Sequence, residues 1–190
     1  MTNKEKYISL LSKVPNTERL IEWLCGTDFF TAPASTKFHS SYEGGLCYHS
    51  LAVYDCLKDS VIADTFSQET LIKVALLHDI CKANFYTVDY RNAKIDGQWE
   101  RVPFYSVKDD FPYGHGEKSV LLASRFIDLT DEEVCAIRWH MGAFDDAVNG
   151  GFNLSQVYER YPLALELHIA DLRASYLVEK REKVEPTAVK

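Results

Sequence analysis

Apolar positions recur at helical spacing along most of the chain. In residues 4–14, Tyr7, Leu10, Leu11 and Val14 fall on one face. A second predicted helix carries Leu20, Ile21 and Leu24, with Asn16 as its N-cap and Gly26 as its stop. Residues 31–45 lose the period; Pro33, several serines and Gly44-Gly45 mark a loop. Helices are expected again over 46–59 and 69–82, the second so dense in Leu, Ile, Val and Ala that its place is the core. Another is expected over 115–126. Thr130 with Glu133 forms a capping box that opens a helix to His140. Residues 141–154 read as a Gly-rich loop, 162–180 as a long final helix, and 182–190 as a frayed tail.

One stretch has a different period. In residues 84–107, Phe85, Tyr86, Val88 and Tyr90 precede Asp96-Gly97, and Trp99, Val102, Phe104 and Tyr105 follow. Asp-Gly between β-branched and aromatic runs predicts a hairpin, with Pro103 confining its strand to an edge. The expected fold class is all-α: one helical domain over residues 1–190 with a small inserted β-hairpin. No internal repeat interrupts that picture.

Composition narrows the function classes. Lys plus Arg number 21 against 28 Asp plus Glu, a formal charge of −7. An acidic surface repels long nucleic acid and anionic membrane, and leaves room for a small anion at a local positive site. Nothing approaches the roughly 18 apolar residues of a membrane span. The polar start lacks the apolar segment of a signal peptide. Five scattered cysteines without a CxxC pair fit a reducing compartment, so the expected location is cytoplasmic.

The candidate chemistry lies in histidines and aspartates. His78-Asp79 ends the most apolar helix, where two polar side chains need partners or cost several kcal/mol. His49 and His115 stand near helix starts, His140 near a helix end, and Asp171 inside the apolar final helix. Imidazoles and carboxylates from separate helices of a bundle can converge on metals in its core.

The order His49, His78-Asp79, His115, His140, Asp171 resembles the HD-domain metal-dependent phosphohydrolase superfamily, over roughly residues 44–174. The two-metal branches are the nearer likeness: HD-GYP phosphodiesterases and bacterial HD exoribonucleases. Gly-Gly-Leu before the first His, His-Asp-Ile-x-Lys at the dyad and His-x-Ala-Asp at the last ligand agree locally. Cys81 stands where these branches often carry Gly, a position read as outside the ligand set. The GYP motif is absent, which argues against a cyclic-di-GMP specialist. No nucleic-acid-binding segment of the exoribonuclease kind precedes the motifs.

The resemblance implies an HD-domain helical bundle. It implies that His49, His78, Asp79 and Asp171 hold one metal, and that Asp79 bridges to a second held by His115 and His140. Two divalent transition-metal ions (Mn, Fe, Zn, Co or Ni) suit such mixed ligands. A metal-bridging hydroxide would attack the phosphorus of a nucleotide or other small phosphoester. Lys82, one turn beyond the dyad, is expected to meet a phosphate or orient the nucleophile; a solvated helix end is the plain alternative. His115 and His140 could instead cap helices or bind product phosphate in a one-metal site. His168 is a candidate substrate-binding residue or a donor that supports a ligand; a satisfied core histidine is the plain alternative. His39 and Glu43 are candidates for the site entrance. Arg138 and Arg173 read as surface ion pairs.

The aromatics between the dyad and His115, Tyr113 among them, could stack a nucleobase beside Arg91, Lys94, Arg101 and Lys108. The segment as a whole reads as a lid; any single residue could equally serve a satellite cluster or a homo-oligomer interface. Two other function classes stay open. One is an HD-fold diiron oxygenase with the same ligands; the other is a non-enzymatic nucleotide-binding sensor.

Overall fold

The computed structural model describes residues 1–148, 151 and 153–179. The expected tail at 182–190 lies outside the described residues, as do Gly150 of the expected loop and Lys180 of the final helix.

The chain is mostly helical, with one two-stranded antiparallel sheet. Helix α1 (Asn3–Leu11) begins at a capping box in which Thr2 and Glu5 satisfy each other's backbone N–H groups. The cap of α2 (Glu18–Cys25) is Thr17 rather than Asn16. Asn16 takes a left-handed backbone (φ 60°), which Asn tolerates, and turns the chain between the two helices. The Thr17 hydroxyl donates back to Leu11 O and Val14 O, closing the end of α1. Helix α3 (Gly45–Lys58) follows the expected loop. Helix α4 (Gln68–Leu77) starts at Ser67, whose hydroxyl accepts from Thr70 N–H.

The helix expected over 69–82 is divided. Its α portion stops at Leu77, His78 is the C-cap, Asp79 leaves helical geometry (φ −108°, ψ 15°), and Ile80–Lys82 forms a single 3₁₀ turn. The apolar pattern continues through this break because Ile80 is as buried as Leu76 and Leu77. Strands β1 (Tyr86–Ile95) and β2 (Gln98–Val107) pair with Ile95 opposite Gln98. That leaves the two-residue turn Asp96-Gly97, both at positive φ, as a primed hairpin turn requires. Pro103 faces Tyr90 in a sheet where each strand is an edge.

Helix α5 (His115–Ala123) is three residues shorter than expected. Helix α6 (Asp131–Trp139) opens at the Thr130–Glu133 capping box. The loop expected over 141–154 contains two 3₁₀ turns, Gly142–Phe144 and Asp146–Val148, and its end belongs to α7 (Asn153–Arg160). The final helix is α-helical only over α8 (Pro162–Arg173) and then widens into a π-helical turn, Ala174–Val178. Turns of that kind recur at functional sites.

Helices α3, α4, α6 and α8 bury Leu46, Leu57, Ile72, Leu76, Ile137 and Leu167 against one another. The α1 residue Tyr7 is fully buried, and its hydroxyl donates to Leu76 O at 2.7 Å, fixing α1 to α4. Two glycines let backbone approach backbone near the site. A Cβ on Gly45 would sit 1.9 Å from Ser40 O, and one on Gly116 would sit 2.1 Å from Arg138 O. The start of α3 therefore lies against the preceding loop, and the start of α5 against the end of α6. Among the described residues no helix is long and apolar enough to cross a membrane.

Candidate metal centre

Six polar side chains from five helices meet at one end of this core. His49 comes from the second turn of α3. His78 and His140 are the C-caps of α4 and α6, Asp79 follows His78, His115 is the first residue of α5, and Asp171 lies in the last turn of α8. His49, His78, Asp79 and His140 are buried, while His115 and Asp171 are half-buried.

The Asp79 carboxylate divides the cluster in two. Its Oδ1 lies 2.7 Å from His115 Nε2 and 3.6 Å from His140 Nε2. Its Oδ2 lies 3.6 Å from both His49 Nε2 and His78 Nε2, and 2.6 Å from the Lys82 ammonium. Asp171 Oδ1 adds a contact of 3.3 Å to His49 Nε2 and accepts from the Ser175 hydroxyl.

Backbone carbonyls and a carboxylate fix the tautomers. His78 Nδ1–H donates to Ala75 O at 2.8 Å, and His140 Nδ1–H donates to Ile137 O at 2.7 Å. Carbonyls only accept, so in the neutral rings the Nε2 lone pairs face the centre. His49 Nδ1–H donates to Glu179 Oε1 at 2.6 Å, which leaves its Nε2 3.1 Å from His78 Nε2. The His140 Nε2 atom is buried with no hydrogen-bond partner.

The protein's own charges hold a proton in this place. Burial opposes the His49 imidazolium, but hydrogen bonds to Asp171 and Glu179 outweigh it and raise its pKa to about 10. His78 is the opposite case: burial, reinforced by His140 and His49, pushes it down to about 3. Burial likewise disfavours charge on His115, yet Cys81 and Asp79 raise it to about 10. Asp79 resists burial because Lys82, His78 and His115 keep its carboxyl well below the usual range. Lys82 stays an ammonium against burial because Asp79 faces it; it also donates to Ala34 O.

Inward lone pairs, an orphaned buried imidazole nitrogen, a buried carboxylate and a half-buried one suit a cation better than they suit one another. Among the described residues four overlapping groups have ligand atoms close enough to hold a metal ion: His49 with His78 and Asp79, His78 with His140 and Asp171, Asp79 with Cys81 and His115, and His39 with His49 and Glu179. Nitrogen and carboxylate oxygen around one point fit a divalent transition metal.

Three residues outside the expected ligand set belong to the surroundings. Cys81 Sγ lies 3.3 Å from His115 Nδ1, so the position read as outside the ligand set contacts the ring of a candidate ligand. His39 packs against the His49 ring at 4.6 Å between centroids. Glu179, beyond the π-turn, is buried and receives His39 Nδ1–H, the Ser40 hydroxyl and His49 Nδ1–H. No motif marked Glu179, because its partners lie far away in sequence.

A cleft of about 420 Å³ opens onto the centre. His49, Asp79, Lys82, His115 and Asp171 line its floor, with His39 and His168 beside them. His168 Nδ1–H donates to His140 O at 2.6 Å. Of the segment expected as a lid, Phe85 shares a neighbouring pocket with Cys81 and His115, and the Tyr86 hydroxyl donates to Ala34 O beside Lys82. The rings at this mouth are Phe38, Phe144 and Tyr176, from the loop before α3, a 3₁₀ turn and the π-turn; no hairpin strand residue lines the cleft. Tyr113 is exposed, stacks on Phe111 and is not among the lining residues. Glu43 is exposed and outside it as well. Arg138 is an ion-pair residue, bridging Glu117 and Asp145.

No family model, curated protein or solved structure matches this chain.

Proposed function

We propose that the chain is a metal-dependent phosphohydrolase of the HD-domain type. Its substrate is a nucleotide or another small phosphoester, and its cofactor is a pair of divalent transition-metal ions. The observation that carries this reading is the division of the Asp79 carboxylate, with each oxygen facing its own pair of imidazoles. His49, His78 and Asp171 would hold one ion on the Oδ2 side, and His115 and His140 the other on the Oδ1 side. Two such ions, when bound, supply Lewis-acid polarisation of phosphoryl oxygens and a water acidic enough to attack at neutral pH.

The chain's own groups do the rest. Lys82 Nζ holds Asp79 Oδ2 in place and, from the cleft floor, can donate to a substrate oxygen. His49 Nε2 and His115 Nε2 give up their protons as cations enter, which suits a site where neutral imidazole is the ligand. The cleft admits a small ester, and among the described residues its lining has one Lys and no Arg to track a long phosphate backbone. All five cysteines are free, in keeping with a cytoplasmic enzyme.

Metal analysis tests the two-ion assignment. About two ions per chain are expected, falling to one in His115→Ala and His140→Ala. A single ion indifferent to both substitutions would refute it. A metal-supplemented screen over nucleotides, cyclic nucleotides and short RNA should find turnover that Asp79→Ala abolishes in a folded chain. Full turnover in Asp79→Ala would place the chemistry elsewhere.

A further inference from the structure

The cleft above the metal centre changes character from floor to rim. Its floor is polar and carries the predicted ligands, whereas Met141 and Leu172 belong to its apolar side and Phe38, Phe144 and Tyr176 to its mouth. Phe38 is 68% exposed and Phe144 66%, so neither ring supports the core. Large aromatic surface left in water is unfavourable, and its concentration at the mouth of a polar-floored cleft is the pattern of a ligand subsite.

Cations are scarce in the same cleft. Among the described residues that line it, Lys82 is the only Lys or Arg, and its ammonium is already held by Asp79 Oδ2 and Ala34 O. Arg138, the basic side chain on the neighbouring helix α6, is engaged by Glu117 and Asp145. One phosphoryl group on the floor would therefore have its charge met. Further phosphates would be pushed against aromatic carbon with no counter-charge, where an unpaired anion is costly.

Resting on the phosphohydrolase reading of the floor, we propose that the cleft selects a monophosphate ester of a planar aromatic group, a nucleoside monophosphate. The phosphate lies on the metal floor and the base against Phe38, Phe144 and Tyr176. Nucleoside triphosphates and non-aromatic sugar phosphates are the disfavoured alternatives. The volume of about 420 Å³ lies within the range of about 300–1,000 Å³ usual for small ligands.

The test is calorimetric binding of AMP, ribose 5-phosphate and ATP to the full chain, with free Mn²⁺ held constant above the nucleotide. Phosphate release is followed in parallel. AMP should bind about tenfold or more tighter than ribose 5-phosphate, the scale of a base stacked on aromatic rings, and more tightly than ATP. In the double variant Phe38→Ala, Phe144→Ala the ratio of AMP to ribose 5-phosphate affinity should fall toward one. The exposure of both rings keeps the fold out of the result. Equal affinity for AMP and ribose 5-phosphate, ATP binding as tight as AMP, an unchanged ratio in the double variant, or no AMP binding at millimolar concentration each overturns the proposal. Discrimination in binding without phosphate release keeps the subsite and removes the hydrolase reading. Equal turnover of AMP and ribose 5-phosphate keeps the hydrolase reading and removes the subsite.

Discussion

Glu179 offers the sharpest perturbation of the candidate metal centre that leaves all six proposed ligands in place. Its carboxylate is buried and receives three donors: His49 Nδ1–H at 2.6 Å, His39 Nδ1–H at 3.2 Å and the Ser40 hydroxyl. Glu179→Ala removes the acceptor that orients the His49 ring. It also leaves the buried His49 Nδ1–H without an acceptor, at about 1–3 kcal/mol, and leaves the Ser40 hydroxyl only its longer contact to Tyr42 Oη at 3.5 Å. Loss of such an outer partner lowers metal affinity by about 10- to 100-fold. The expected outcome is therefore a weaker metal site in a less stable chain. Glu179→Gln, which keeps an acceptor of the same shape, should recover part of the affinity. Competition with a chromophoric chelator measures the affinity, and circular dichroism verifies that the variant is folded. A folded Glu179→Ala chain that binds metal as tightly as the parent would refute the argument that Glu179 acts through His49.

Metal affinity should rise with pH. His49 and His115 have pKa values raised to about 10, so between neutral pH and that value each must lose a proton to become a ligand. Apparent affinity should increase by about tenfold per pH unit for each proton displaced. Calorimetry in buffers of different ionisation enthalpy counts the protons, and a pH-independent affinity would contradict the assignment. Added metal should also raise the melting temperature, because a ligand at 100 times its Kd stabilises the native state by about 2.7 kcal/mol; a thermal scan with and without chelator reads it. Gly116→Ala should cost about 1–3 kcal/mol, since the new methyl meets Arg138 O at 2.1 Å and forces α5 away from α6. Denaturant unfolding measures the loss, and unchanged stability would mean that the two helix ends are not in forced contact.

The helical period was a good guide where a segment had one apolar face and its own punctuation. The Thr130–Glu133 box and the Asp96-Gly97 turn acted as their chemistry requires. Two kinds of feature escaped. The break in α4 is silent in the apolar pattern because Ile80 continues the buried stripe after the backbone has turned. The π-turn after Arg173 is equally silent, since a widened turn keeps the same buried faces. Both irregularities have a long-range reason: one brings the Asp79 carboxylate inward, and the other ends on Glu179 beneath His49. For the cleft, the density of aromatic residues in the hairpin drew attention away from its actual rim. Phe38, Phe144 and Tyr176 are separated in sequence, and no local window contains two of them.

The six candidate ligands were legible for a reason that the structure makes concrete. His78 and His140 both end helices, and each ring's Nδ1–H bonds the carbonyl three residues back, at Ala75 and Ile137. The last carbonyls of any helix lack intrahelical donors. A histidine at that position satisfies one of them, and the same bond turns the opposite nitrogen of the ring toward the core. His168 repeats the device across helices by donating to His140 O, the carbonyl of the α6 C-cap. A polar residue closing an apolar helix is thus both a cap and a pre-set ligand. That is why His78 and His140 stand at helix ends, whereas His49 and Asp171 project from within α3 and α8. It also explains the position of Asp79, which falls outside helical geometry just after such a cap. Its carboxylate is free to reach across the gap and face imidazoles on both sides.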